Sequence, residues 1–255
     1  QGVRFSSKSD SEILLRLYQR QGLEATLPLL RGEFAFALFD RSEDCLYLVR
    51  DRFGIKPQYW AMTPEGLVFG SELKVLFAHP AVERRFTSEG LFHQLMQTMV
   101  PGTTAFAGVH QVKPGHVLKV QRVNGHLEVS DSTYWDVDFP RKDERDPKRT
   151  EADHIAAVRA ALLEAVELRM VADVPVGCYL SGGIDSCSIL GLASAVSQAP
   201  VKAFTIGFDD ARYDESPIAR EMAEATGAEQ DLMRLSGQEL YGHMERTIWH
   251  AERTI

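Results

Sequence analysis

The stretch that most constrains the fold is residues 174–186, VPVGCYLSGGIDS. A run holding Val174, Val176, Tyr179 and Leu180 ends abruptly at Ser181-Gly182-Gly183, and Ile189, Leu190, Ala193 and Val196 then recur at helical spacing. This pattern predicts a buried strand, a glycine turn and a helix beginning near Cys187. The two glycines carry no Cβ to hold an anion away from the backbone. Amides of the turn and of the helix N-terminus then converge on one spot, which suits phosphate.

The loop is not of the Walker type, because G-x-x-x-x-G-K-[ST] is absent and no lysine follows the glycines. Asp185 stands where one carboxylate could hold Mg²⁺ against phosphate oxygens, the usual arrangement for that hard cation. A glycine turn with Ser186 as helix N-cap is the plain alternative. SGGIDS resembles the pyrophosphate-binding loop of the N-type ATP pyrophosphatases, which cleave ATP to AMP and pyrophosphate. The loop by itself implies that superfamily and no particular substrate.

At 255 residues, 44% hydrophobic and 25% charged, the chain has room for two modest globular domains. No run of about 18 apolar residues is present to span a bilayer, and no signal-peptide pattern opens the sequence, so a membrane is not expected as a partner. A net charge of −8 argues against a nucleic-acid surface. Cys45, Cys178 and Cys187 are odd in number and lack metal spacing, which points to a reduced, cytoplasmic setting and to packing roles. The eight histidines show no ligand spacing. Gln1 is not Met, and Ile255 leaves a patterned segment unfinished, so a piece of a longer polypeptide is expected.

Along the first half, Ser9-Asp10-Ser11-Glu12 precedes Ile13, Leu14, Leu17 and Tyr18, with Gly22 beyond. That predicts a capping box, a helix of about three turns and a glycine stop. Asp10 alone reads as an acid favoured by the helix dipole. Residues 33–40 (EFAFALFD) and 45–51 (CLYLVRD) predict an antiparallel pair. The loop 50–57, RDRFGIKP, reads as structural, with charges paired locally. Strands near 58–61 and 67–70, helices at 71–77 and 88–97, and strands at 109–112 and 116–123 complete an α+β unit.

These segments carry a resemblance. EFAFALFD, LVRDRFGIKPQYW, FGSELKVLF, PGTTAFAGVHQVKPGH and TYWDVDFP, followed by SGGIDS, resemble the glutamine-hydrolysing (class B) asparagine synthetases in order and spacing over essentially the whole chain. The resemblance implies an α+β domain followed by an α/β domain. The first would be part of an N-terminal-nucleophile glutaminase with a four-layer αββα sandwich, and the second part of an ATP-pyrophosphatase domain with a parallel sheet. It gives Asp10, within SKSDSEIL, the role of gripping the α-amino group of glutamine, a charge-assisted contact. The family's nucleophile is a cysteine at the mature N-terminus. None of the three cysteines here can stand in for it, so the chain as given is expected not to hydrolyse glutamine.

Residues 1–139 thus form the glutaminase part, 140–149 (PRKDERDPKR) a charged linker, and 150–255 the start of the synthetase part. Thr150 with Asp153 caps a helix whose Ile155, Val158, Leu162 and Val166 make one apolar face. VKAFTIGF (201–208) reads as a second buried strand, so a βαβ crossover in a parallel sheet is expected. Nucleotides bind outside the carboxyl ends of such strands. Tyr213-Asp214-Glu215 reads as the cap of a helix with Ile218, Met222 and Ala225 on one face. The resemblance implies an ATP site at Leu180, Ser181, Gly182, Gly183, Asp185, Ser186 and Ile206, with Leu180 and Ile206 lining the adenine and Asp185 holding Mg²⁺. Glu252 carries no assigned role.

The implied activity is asparagine synthesis from aspartate, ATP and glutamine through β-aspartyl-AMP, with glutamine, aspartate and ATP as partners and a homodimer admitted. Relatives using the same loop amidate other carboxylates or close β-lactam rings. A tRNA-modifying enzyme with an SGG-x-D-S loop and a non-catalytic scaffold are the rivals from other classes.

Overall fold

The computed structural model describes residues 4–98, 100–144, 146 and 148–253. It divides into two compact units: Gln1–Phe139 together with Ile248–Ile255, and Pro140–Thr247.

The first unit is a four-layer stack, read from which side chains share a core. Helix α1 (Asp10–Thr26) leads by a short 3₁₀ turn (Leu27–Leu29) to strands β1 (Ala35–Asp40) and β2 (Cys45–Arg50). Next come β3 (Tyr59–Thr63), β4 (Gly66–Gly70), α2 (Leu73–Leu76), α3 (Ser88–Leu95), β5 (Val109–Gln111), β6 (His116–Val123) and β7 (His126–Thr133). One antiparallel sheet runs β1-β2-β6-β7, the other β4-β3-β5. Alternation along each strand sends successive side chains to opposite faces. Leu23 and Leu27 therefore meet Val49, Val117 and Tyr47 on one face of the first sheet. Its other face gives Leu48, Leu46 and Leu118 to a core with Trp60, Leu67 and Val112. The far face of the second sheet packs Ala61, Val109 and Val68 against Leu73 and Leu76 of α2. Helix, sheet, sheet, helix is the expected αββα order.

Two local expectations change. Glu12 does not reach back to Ser9: its carboxylate accepts the amides of Ser6 (2.9 Å) and Ser7 (2.7 Å), while Ser9 Oγ accepts Ser11 N–H at 3.3 Å. Gly22, at φ 77° and ψ 175°, does end the first three turns of α1 as expected, and a further helical turn follows as far as Thr26. Strand β7 was not foreseen, because HLEVSDST is polar and only Leu127 and Val129 alternate inward. In the loop 50–57, Lys56 pairs locally with Glu33 at 3.6 Å, as expected, while the other charges engage backbone. Buried Asp51 accepts the amides of Phe53, Ile55 and Lys56, and buried Arg50 donates to the carbonyls of Val112 and Lys56.

The second unit contains α4 (Glu151–Arg169), β8 (Gly177–Tyr179), α5 (Ile184–Val196), β9 (Lys202–Phe208), α6 (Ser216–Thr226), β10 (Glu229–Leu235) and α7 (Gly237–Ala251) as far as Thr247; the helix from Ile248 on belongs to the first unit. Thr150 and Asp153 close a reciprocal capping box on α4. The three strands form a parallel sheet in the order β10-β9-β8. Its core gathers Val166, Leu180, Leu190, Ala193, Val201, Ala203, Ala219 and Ala223.

The two strands are not buried on both sides. Along β9, Ala203, Thr205 and Gly207 are covered while Phe204 and Ile206 are exposed, and Tyr179 and Val174 are exposed as well. α5 and α6 contribute to the core on one face only, so an apolar run that reads as fully buried is covered on alternate residues. On α4 only Val166 is buried; Ile155, Val158 and Leu162 line an open groove with Gly191 and Leu192 of α5. On α6 the buried face is Ala219 and Ala223 with Met222 beside them, whereas Ile218 and Ala225 are exposed. No helix among the described residues is long and apolar enough to cross a membrane.

Candidate functional site

The glycine loop lies between β8 and α5. Pairing with β9 ends where Leu180 N–H donates to the Phe204 carbonyl at 2.8 Å, and the chain then turns. Gly182 takes φ +88°, a conformation that L side chains rarely adopt. Gly183, extended at φ −72° and ψ 158°, is the residue before the first turn of α5. Helix α5 thus starts three residues earlier than its apolar pattern suggests.

Ser186 is consequently not the N-cap. It sits inside the first turn, where its hydroxyl donates to the Gly183 carbonyl at 3.0 Å and accepts Ser181 N–H at 3.2 Å. Ser181 Oγ lies 3.1 Å from Ser186 Oγ and accepts Gly183 N–H at 3.4 Å. These bonds fix a narrow turn at the head of α5. The first amides of a helix have no intrahelical acceptor, and the helix dipole adds positive potential at the same end. An added Cβ at Gly183 would meet nothing nearer than Ser181 Oγ at 3.5 Å, so the backbone is open to a ligand there. A phosphate group fits this cradle. Asp185 is exposed in the first turn of α5. Among the described residues no group of three or more His, Cys, Asp or Glu side chains is placed to hold a metal. A single acid beside phosphate oxygens is nonetheless a coordination mode of Mg²⁺, and Asp185 fits it.

Leu180 and Ile206 fall on opposite faces of the sheet. The Leu180 side chain is 1% exposed within the core, so it offers a ligand only its main chain. Ile206, 51% exposed, shares the open face with Phe204 and Tyr179 near the carboxyl end of the strands.

Asp10 lies in the other unit, exposed in the first turn of α1. Among the described residues no hydrogen bond holds its carboxylate, while neighbouring Glu12 is fully engaged by Ser6, Ser7 and Arg16. The cysteines are packing residues. Cys45 is completely buried, burial pushes its thiol pKa up, and the same cause raises that of Cys178. Cys187 packs against the core of the second unit.

The residues that read from sequence as a plain helix cap, 213–215, adjoin the glycine loop. The first turn of α6 lies directly beneath Gly182: an added Cβ there would meet the Glu215 carbonyl at 3.0 Å and Ile218 Cβ at 3.3 Å. Asp214, not the N-cap residue Glu215, accepts Ser216 N–H, at 3.1 Å. The Asp-x-Ser spacing of 214–216 was the available signal.

The glutamine amidotransferase domain family matches residues 1–135, and the asparagine synthase family matches residues 157–255. Asparagine synthetase [glutamine-hydrolyzing] 1 and 3 of Bacillus subtilis are 34% and 31% identical over 98% and 97% of this chain. The chain belongs to the glutamine-hydrolysing asparagine synthetase family. It covers 38% and 41% of those two relatives, about two-fifths of their length. Amidase chyE of Penicillium rubens is 36% identical over 98% of this chain, which covers 38% of that protein. A solved structure titled as the allosteric regulatory enzyme of purine biosynthesis aligns with 92% of this chain and 55% of its own, at 14% identity and TM-score 0.40. Within this asparagine synthetase relative, the glycine loop lies in the region matched to asparagine synthase, and Asp10 in the amidotransferase region.

Proposed function

We propose that the chain is the part of a glutamine-dependent amidotransferase in which ATP activates a carboxylate, with aspartate as the acceptor and asparagine as the product. The observation that carries this is the turn at Gly182 and Gly183, which presents the free amides of α5 at the end of a parallel strand. In the whole protein, glutamine would be bound through Asp10 and hydrolysed, and its ammonia passed to the second site. There the acceptor carboxylate would attack the α-phosphate of ATP to give an acyl-adenylate and pyrophosphate, and ammonia would displace AMP. Ser181, Gly182, Gly183 and Ser186 would hold the departing pyrophosphate, the amides stabilising charge that develops on its oxygens. Asp185 would hold Mg²⁺, which when bound neutralises phosphate charge. Ile206 would flank the adenine from the open face.

A second reading keeps this chemistry and changes the acceptor. Identity to the fungal amidases chyE and chry2, 36% and 37%, is higher than to the Bacillus asparagine synthetases, 31% and 34%, which supports another carboxylate as substrate. The test is to give the full-length protein Mg-ATP, aspartate and amide-¹⁵N glutamine, and to follow labelled asparagine, AMP and pyrophosphate by mass spectrometry. Labelled asparagine with matching AMP supports the first reading. Glutamine hydrolysis without labelled asparagine under these conditions rejects it in favour of another acceptor. Asp185→Ala is expected to abolish ATP–pyrophosphate exchange while sparing glutaminase turnover.

A further inference from the structure

Asp214 ties three elements of the second unit together. Its Oδ1 accepts Ser216 N–H at 3.1 Å at the start of α6. The hydrogen bonds from Ser216 are the main cause of its lowered pKa. From β10, Arg234 Nη1 stands 3.6 Å from Oδ2. Gly207 permits the approach: an added Cβ there would lie 3.3 Å from Asp214 Oδ1. Ser216 is 2% exposed, so losing the acceptor would leave a buried amide without its partner.

The first turn of α6 is also the floor of the glycine loop, since the Glu215 carbonyl, Ile218 and the Ala219 amide crowd the Cβ position of Gly182. Gly182 takes φ +88° against this floor, and the amide directions of the cradle follow from that angle. We propose that Asp214 is a positioning residue for the phosphate cradle, holding α6 where Gly182 must seat. This deepens the reading of the loop as a nucleotide site and rests on it for its purpose, though not for its geometry.

The test compares the full-length protein with its Asp214→Ala and Asp214→Asn variants, the latter keeping Oδ1 as an acceptor. Hydrogen exchange is followed by mass spectrometry in peptides covering 180–186, 215–219 and the sheet β1-β2-β6-β7, and Mg-ATP affinity by calorimetry. The expected result for alanine is exchange about tenfold faster in both 180–186 and 215–219, with the sheet peptides unchanged. Mg-ATP affinity falls about tenfold, and asparagine restores most of both. Faster exchange confined to 215–219 would overturn the proposal, because Asp214 would then cap α6 and nothing more. Should alanine unfold the second unit, the asparagine variant decides alone: loop exchange as fast as in alanine would overturn the proposal, and near-native exchange supports it. Coupled exchange in a chain that does not bind Mg-ATP would sink the nucleotide reading and leave the positioning role standing.

Discussion

Lys74 and Glu252, 178 residues apart in sequence, meet at 3.2 Å between Nζ and Oε1. The same carboxylate accepts the amides of Leu73 at 2.6 Å and Lys74 at 2.8 Å, the first donors of α2, and Lys74 lies 5.6 Å over the Trp249 ring. A four-residue helix has almost no cooperativity of its own, so its cap comes from a distant part of the chain. Glu252→Ala is expected to cost about 1–2 kcal/mol, the range for a lost helix cap. A lower urea midpoint, read by tryptophan fluorescence, measures it. Glu252→Gln, which keeps one acceptor oxygen, should cost less; an unchanged midpoint for alanine would show that the clamp contributes no net stability.

Asp51 is 1% exposed and accepts three amides, from Phe53 (3.1 Å), Ile55 (3.0 Å) and Lys56 (2.9 Å). Its loss leaves those donors to compete for acceptors the loop does not offer. Asp51→Ala should destabilise the first unit by about 3 kcal/mol, since each unpaired buried donor costs on the order of 1–3 kcal/mol. Asp51→Asn should fall between alanine and wild type, because its NH₂ group would face one N–H donor. Guanidinium unfolding checks the order, and an alanine cost under about 0.5 kcal/mol, the level of an ordinary surface substitution, counts against the account.

Tyr18 and Asp40 make a pH-dependent pair across α1 and β1, with Oη donating to Oδ2 at 2.6 Å. Burial, then the hydrogen bond to Asp40, pushes the Tyr18 pKa up to about 12 from 10.0. The hydrogen bonds from Ser42, then Tyr18, bring the Asp40 pKa down to about 2 from 3.8. A raised tyrosine pKa gives stability that is complete below pH 10 and lost as pH rises toward 12. A lowered aspartate pKa gives stability that is present above pH 3.8 and lost as pH falls toward 2. Tyr18→Phe should therefore flatten the alkaline fall in melting temperature. It should only weaken the acid one, because Ser42 still donates to Asp40. An alkaline limb identical in the two proteins would remove Tyr18 from this role.

The parts legible in sequence are those governed by local chemistry. Thr150 and Asp153 specify their capping box from four residues, and the glycine loop from six. The α+β class followed from short antiparallel runs, and the αββα order from the family resemblance. Strand β7 was missed for want of apolar residues, although Asn124-Gly125, with φ 51° and 84°, is a two-residue hairpin turn that announces it. Burial was the weakest inference. Periodicity shows that Phe204 and Ile206 share one face of β9 and Ala203 and Thr205 the other, yet not which face has helices against it. The same gap hid the floor of the cradle: Asp214 and Gly182 are 32 positions apart, and only the fold brings α6 beneath the loop.

The two loop glycines separate a folding requirement from a ligand requirement. At Gly182 a side chain would be strained twice, by φ +88° and by the Glu215 carbonyl 3.0 Å from the new Cβ. Gly182→Ala should lower the stability of the second unit by about 1–2 kcal/mol, as strained left-handed positions do, and weaken Mg-ATP binding as a consequence. At Gly183 the backbone is extended and the new Cβ would meet only Ser181 Oγ at an ordinary 3.5 Å. Gly183→Ala should leave the melting temperature nearly unchanged. If phosphate oxygens approach this backbone as proposed, the added methyl occupies their space, and Mg-ATP affinity should fall by about tenfold or more, or about 1.4 kcal/mol. The pair is measured by calorimetric melting and by Mg-ATP titration of the same preparations. A Gly183→Ala protein that melts normally and binds Mg-ATP as tightly as wild type would mean that the anion is not cradled on this turn. The nucleotide reading would then have to move off α5 altogether.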